Sequence, residues 1–205
     1  MNRILGAMLL AAAILMTHPL DASARVGNGC LLLSPGFGGA VPLSKFRDDI
    51  RAGYTSGISL DYMVSESAAL GVELSGTRFK PAVHEVRSGF FDGQPQRLLV
   101  RDSWKLVQYG IHARMYAAGA QAPNPFVEGG ICATSAIFGQ AGTLGSSERV
   151  GTVLGFKLGV GFDLYISNFV SGVMTVTYHT FNWSNEETYR FWTARFGLAF
   201  QFRPI

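Results

Sequence analysis

Two segments of this chain carry a histidine where catalytic or metal chemistry would be sought first. His84-Glu85 begins the His-Glu-x-x-His pattern of zinc proteases, but Ser88 stands where the second histidine is required. In the segment His179-Thr180-Phe181-Asn182, the residue two positions after the histidine is a phenylalanine, which offers no nucleophile. The sequence therefore predicts no catalytic residue, no metal site, no cofactor and no enzymatic activity.

A larger set of chemically active side chains consists of charges that fall on the polar side of alternating segments. Four are basic and four are acidic: Arg51, Arg114, Lys157, Arg195, Asp61, Glu73, Glu128 and Asp163. An isolated buried ion costs several kcal/mol, so charges that face a common interior must be paired or solvated. The balanced set predicts an internal network of salt bridges. A gated pore or a proton path is the functional alternative.

The segments that hold these charges alternate as β-strands do. In the segment 190–202 the even positions from Trp192 onward are apolar, with Phe196 and Leu198 among them, whereas the odd positions include Arg195 and Gly197. A period of two gives a strand one apolar and one polar or small face. Eight segments carry strand patterns: 31–39, 50–64, 70–77, 107–115, 127–137, 154–164, 170–178 and 190–202.

The connections between these segments alternate in length. The predicted long loops are 41–49, 80–97, 139–149 and 181–188, and the short turns are 65–67, 118–125 and 166–168. Outer-membrane barrels have short periplasmic turns, longer extracellular loops and strands of about 9–11 residues. A soluble sandwich gives no reason for such one-sided loops. The sequence predicts an all-β fold, an eight-stranded antiparallel up-and-down transmembrane β-barrel, whose narrow lumen is filled by side chains.

The composition supports this class of protein. Charged residues make up 15% of the chain, below the roughly 25% of soluble domains, while there are 25 glycines and 12% aromatics. The net charge of +3, without a Lys/Arg cluster, excludes a nucleic-acid partner. Aromatics near the loop bases predict a girdle at the membrane interface: Trp104, Trp183, Tyr189 and Trp192.

Residues 1–24 are predicted to be a secretory signal peptide, and residues 25–205 the barrel domain. Arg3 precedes the apolar run Ile4–Met16, and Ala22-Ser23-Ala24 is an A-x-A cleavage site. The apolar run is shorter than the about 20 residues of a transmembrane helix. Lipidation of Cys30 is disfavoured because no aliphatic residue precedes it at the usual position. Cys30 and Cys132 are placed on opposite sides of the barrel, so two free thiols are predicted.

Four short segments resemble the small porin-like outer-membrane barrels of Gram-negative bacteria, the architecture of outer membrane proteins A and X. They are residues 38–42, 70–74, 126–130 and 159–162, and the likeness extends over residues 31–202. The resemblance implies a fold rather than an activity. It also implies an exported, monomeric protein of the Gram-negative outer membrane. Its expected partners are outer-membrane lipid, lipopolysaccharide and, during biogenesis, the barrel-assembly machinery.

Three functions are compatible with such a barrel. Lipid A deacylases of the same barrel class carry a His-x-Ser-Asn element, and Phe181 occupies the serine position here. A lipid A-modifying enzyme is therefore a distant alternative. A small pore or a carrier for small or hydrophobic solutes is the nearer one. The favoured function is a structural or surface-interaction role in the outer membrane.

Overall fold

The structure, a computed structural model, describes residues 29–43, 46–91, 94–117, 124–140, 147–167, 169–184 and 187–202. Within these ranges it describes the side chains except those of 48–49, 81–103, 138–140, 147–150, 183–184 and 187. Among the described residues, no helix has the length and apolar character needed to cross a membrane.

Eight antiparallel strands form a closed barrel in chain order. They are β1 (Leu31–Leu43), β2 (Ile50–Ser65), β3 (Ala68–Phe91), β4 (Gln94–Tyr116), β5 (Asn124–Gln140), β6 (Ser147–Ser167), β7 (Val170–Ser184) and β8 (Glu187–Phe202), and one helical turn, α1 (Phe46–Asp49), precedes β2. Pairing of β1 with β8 closes the wall, so no strand edge is left open. The predicted all-β barrel is confirmed.

The alternation in sequence becomes an inside and an outside. Leu158 is 66% exposed and Phe196 is 50% exposed, whereas Glu128 and Asp61 are 1% and 0% exposed. Apolar side chains thus cover the outer wall while charged ones fill the lumen, the reverse of a soluble protein. Because each residue points to the face opposite its neighbours, the apolar period fixes this arrangement.

Both described chain ends lie at the same end of the barrel, where Leu31 pairs with Phe202. We call this the terminal end and the opposite one the distal end. In two tight turns at the terminal end, a serine hydroxyl oxygen accepts a hydrogen bond from a backbone N–H group. Ser67 N donates to Ser65 Oγ at 3.3 Å, and Phe169 N donates to Ser167 Oγ at 3.4 Å.

The strands extend further at the distal end than the sequence predicts. The segment 80–97, predicted as a loop, is mostly a hairpin extension of β3 and β4, which have 24 and 23 residues. Strand β7 likewise continues to Ser184 through part of the predicted loop 181–188. The two prolines of the hairpin do not end it because register irregularities lie near each, at Arg78/Ala82 and Arg87/Phe90.

The predicted inward position of Arg51 is wrong. Arg51 is exposed, whereas Ile50, expected on the outer face, is fully buried. The β2–β3 register shifts between Arg51 and Tyr54, which reverses the faces at the start of β2. Beyond Tyr54 the predicted faces of β2 hold through Val64.

Candidate functional site

The first of two charge groups in the lumen is centred on Asp61 of β2. Its carboxylate accepts hydrogen bonds from Ser59 Oγ at 2.9 Å and from Arg114 Nη1 at 3.0 Å. His112 Nε2 lies 2.6 Å from the other carboxylate oxygen. Arg114 also donates through Nε to Glu128 at 3.3 Å. All these side chains are buried, so the hydrogen bonds replace the water that the charges lost on folding.

Arg114 and Glu128 are held further by neighbours from other strands. Thr177 Oγ1 of β7 donates to Glu128 at 2.8 Å. The guanidinium of Arg114 lies 5.0 Å from the ring centre of Phe126, within cation–π range. Strands β2, β4, β5 and β7 therefore contribute side chains to one group that crosses the lumen.

The second group is centred on Glu73 of β3. Its two carboxylate oxygens accept hydrogen bonds from Lys157 of β6 and Arg195 of β8, respectively. Glu73, Lys157 and Arg195 come from three strands spaced around the wall, so the group spans the lumen. One anion here contacts two cations, whereas in the first group two carboxylates share Arg114, and His112 contacts Asp61.

Glycines on the strands between these charged residues leave the space that the charged side chains occupy. In the register, Asp61 pairs with Gly71, and Gly71 pairs with His112. A Cβ on Gly71 would lie 2.2 Å from the Asp61 carboxylate and 2.8 Å from His112 Nε2. Gly159 similarly lies against Glu128 and Thr177. Glycine at these inward positions leaves the room that the neighbouring charged side chains need.

The structure brings together six of the eight predicted network residues: Asp61, Glu73, Arg114, Glu128, Lys157 and Arg195. Arg51 is outside, as described above. Asp163 lies on β6 beyond Gly161 and forms no ion pair with any described residue. His112 also belongs to the network, although the predicted set does not include it, and it shares the inward, even-numbered face of β4 with Arg114.

An aromatic cluster closes the distal end of the lumen. Phe46 of α1 inserts between the strands, with its ring centre 5.1 Å from that of Phe79, 5.4 Å from Trp104 and 5.2 Å from Tyr189. The contacts are edge-on, the favoured geometry for aromatic pairs. We call this set the distal plug, and its members are Phe46, Ile50, Phe79, Trp104, Leu106, Phe181, Tyr189 and Phe191.

Two of the four predicted interface aromatics belong to the plug instead. Trp104 is 8% exposed, and Tyr189 packs on Phe46, so both face the interior. Trp104 and Tyr189 occupy inward positions of their strands, and burial in the aromatic cluster is what the alternation requires. Trp192 does lie on the outer wall, 42% exposed and beside Tyr178. The side chain of Trp183 lies outside the described residues.

His179 lies beneath the plug as a packed side chain. Its ring stacks on Phe191 with 4.5 Å between ring centres, and Nε2 lies 3.0 Å from Thr193 Oγ1. Thr193 is 2% exposed, so this hydroxyl is not accessible to a substrate. Phe181 belongs to the plug. In the part of the chain described, no group of three or more His, Cys, Asp or Glu side chains could hold a metal ion.

The terminal end of the lumen is closed by a second apolar layer, made of Cys30, Leu32, Met63, Ala69, Tyr116, Phe126, Val173 and Ala199. Two small cavities lie between the two layers, among the described residues. One of about 10 Å³ is lined by Glu73, Cys132 and His179 among others, and one of about 30 Å³ lies beside Arg114 and Arg195. A water molecule needs about 10–15 Å³.

Both cysteines are free and buried, which confirms the prediction of two free thiols.

Comparison with known proteins identifies the fold. No protein-family model matches the sequence. No curated protein matches it either. Solved structures do match. Neisserial surface protein A matches with a TM-score of 0.55 and 14% identity, over 85% of this chain and 98% of that one. This chain has the fold of the small outer-membrane barrels.

Two further structures are similar to this barrel. Ail, the attachment invasion locus protein of Yersinia pestis, was solved in complex with the heparin analogue sucrose octasulfate. It matches with a TM-score of 0.53 and 14% identity, over 85% of this chain and 99% of Ail. The outer membrane protein OprG from Pseudomonas aeruginosa matches with a TM-score of 0.52 and 12% identity, over 87% and 98%. The resemblance predicted from the sequence is thus confirmed for the fold.

Proposed function

We propose that this chain is an integral outer-membrane protein with a closed, side-chain-filled barrel that serves a structural or surface-interaction role. The observation that carries the proposal is the occlusion of the lumen at three levels. The distal plug closes one end, the apolar layer around Phe126 closes the other, and paired charges fill the space between. The lumen cavities hold about one to three waters, which is too little for a solute path.

Membrane insertion is supported by the outer wall. Large apolar side chains on it are more than half exposed, among them Leu154, Leu158, Ile111 and Leu70. An apolar surface of this extent is unfavourable in water. A barrel satisfies every backbone hydrogen bond internally, as a lipid environment requires. Outer-membrane barrels have their short turns in the periplasm and their longer loops outside the cell. We therefore place the terminal end in the periplasm and the distal end, with the long hairpin of β3 and β4, at the cell surface. A monomer inserted by the barrel-assembly machinery is part of the proposal.

Planar-bilayer conductance of the refolded protein tests this function. A closed structural barrel gives no conductance steps, and the folded protein migrates differently on gels before and after boiling. Regular steps in the wild-type protein would instead favour a pore. Identical migration before and after boiling, with recovery in the soluble fraction, would contradict membrane insertion itself.

A second candidate, a carrier for small apolar solutes, is favoured by one observation. Phe46, at the centre of the plug, comes from α1 rather than from the barrel wall. Its removal would leave a cup lined by Phe79, Trp104 and Phe191. The two functions are separated by measuring how fast a small apolar dye enters vesicles that contain wild type, Phe46→Ala or no protein. Uptake by the wild type supports a carrier, and uptake by neither protein supports the structural role.

A further inference from the structure

Four cations lie close together on the outer wall near the distal end. Arg51 pairs in register with Lys80, and Arg78 pairs with Lys105. All four side chains are exposed. Register partners point to the same side of an antiparallel sheet with Cβ atoms about 5 Å apart, where like charges destabilise the pairing. Two such pairs on three adjacent strands call for an external counter-charge.

No carboxylate of the described residues supplies that counter-charge. Every ion pair in the part of the chain described involves the lumen groups of Asp61, Glu73 and Glu128. The register neighbours of the cluster on the same face are Tyr54, opposite Arg78, and Ile137, opposite Lys105. The cations therefore point away from the barrel, and no carboxylate whose side chain is described pairs with them.

The height of the cluster on the wall identifies the surroundings that it faces. On β3 the outward residues are Leu70, Val72, Leu74 and Gly76, and the next one is Arg78. Leu70 to Arg78 covers about 20 Å of height for a tilted strand, close to the about 25 Å apolar band of outer-membrane barrels. On the antiparallel strand β4, Lys105 is likewise the outward residue next to Val107 on the distal side. Tyr54 beside Arg78 is 56% exposed, as an interfacial aromatic would be.

We propose that Arg51, Arg78, Lys80 and Lys105 form a site for the phosphate groups of an outer-leaflet lipid headgroup. This inference rests on the proposed membrane insertion and names a partner of that barrel. A phosphate monoester carries a charge of about −1.5 to −2, which matches one cross-strand pair of cations. Arginine offers two parallel donors to phosphate, while lysine adds a point charge. The cations project sideways at headgroup height, and this favours a lipid over a soluble anion.

The chain supplies a matched control. Arg190 of β8 is also exposed near the distal end, but its register neighbours are Leu43 and Thr180. It therefore has no basic register neighbour among the described residues, and β1 separates its strand from β2. The test compares wild type, the double variant Arg78→Gln/Lys105→Gln and the single variant Arg190→Gln.

Each protein is refolded into phosphatidylcholine vesicles that contain bisphosphorylated lipid A, dephosphorylated lipid A or neither. The temperature at which half of the folded gel band is lost is measured, and native mass spectrometry gives the affinity for each lipid. We expect wild type and Arg190→Gln to prefer bisphosphorylated lipid A by about tenfold or more. The double variant loses this preference. In phosphatidylcholine alone it is at least as stable as wild type, because a like-charge pair has been removed.

Three results would overturn the assignment. Wild type could show no preference for the phosphorylated lipid, Arg190→Gln could lose as much as the double variant, or the double variant could be equally destabilised in all three lipids. A soluble sulfated polysaccharide added to phosphatidylcholine vesicles is a further arm. Stabilisation by it equal to that by lipid A would place a soluble anion at the cluster instead. Failure of wild type to insert into phosphatidylcholine would contradict the proposed function, and the two failures are thus distinguishable.

Discussion

Replacement of Glu73 by Gln is the sharpest test of the filled lumen. Among the residues whose side chains are described, Glu73 is the one carboxylate in contact with both Lys157 and Arg195. Its side chain is 6% exposed, and those of Lys157 and Arg195 are 3% and 11% exposed. Removal of one partner from a buried ion pair costs about 3–5 kcal/mol, because the counterpart stays buried without compensation. In Glu73→Gln two cations lose their anion at once, so a cost at the upper end of that range is expected.

Lys157→Met provides the matched comparison. In this variant Glu73 keeps Arg195, so no buried charge is orphaned and the cost is that of one charged hydrogen bond, about 1–3 kcal/mol. The double variant Glu73→Gln/Lys157→Met should recover part of the loss, since one of the two orphaned cations is removed. Ser75→Ala, at the next inward position of β3, controls for substitution of this strand.

Urea unfolding in lipid vesicles, followed by tryptophan fluorescence, measures the free energies. Trp104 in the plug and Trp192 on the outer wall report on the inside and outside of the barrel. A cost below about 1 kcal/mol for Glu73→Gln, or strict additivity of the two substitutions, would refute a buried ion-pair network. The charges would then be separately solvated. A wet lumen of that kind would favour the pore over the structural barrel.

Three other outcomes follow from the packing. Gly71→Ala should destabilise the barrel strongly, because its Cβ would meet the Asp61 carboxylate, whereas Gly76→Ala on the same strand, with open space around it, should change the unfolding free energy little. Leu158→Arg on the outer wall should cost about 2–4 kcal/mol or prevent insertion into vesicles, while Glu66→Arg in an exposed terminal turn should insert normally. Both cysteines should resist maleimide labelling in the folded protein and react fully after boiling, and rapid labelling before boiling would contradict their burial.

The period of two in the sequence is sufficient to predict the barrel and the faces of its strands. It also contains a signal that the prediction of the aromatic girdle overlooked. Trp104 and Tyr189 occupy inward positions, since the outward residues of β4 are odd-numbered and those of β8 even-numbered. Their inward orientation therefore follows from the alternation alone, whereas their packing on Phe46 does not. Arg51 is the opposite case, because a register shift between Arg51 and Tyr54 reverses a parity that the sequence states clearly.

The partners of the lumen charges could not be predicted in the same way. Glu73 and Arg195 are 122 positions apart and meet only across the closed lumen. Which inward charges meet depends on the register of every intervening pair, and that register depends on irregularities such as the one at Ala136/Ile137 between β5 and β6. The alternation gives the set of inward residues. The geometry of closure gives the pairs.

The two charge groups are complementary, and this argues that the lumen acts as one core. The group of Asp61 and Glu128 has two carboxylates for the guanidinium of Arg114, while the group of Glu73 has two cations for one carboxylate. Lys157 lies in the same register row as Asp61, through Gly71, His112 and Gly130. Each group alone would bury an excess charge of one sign, which is costly in a low-dielectric interior. Together they offset each other across two glycines. A pore with charges solvated singly would need neither the glycines nor the balance.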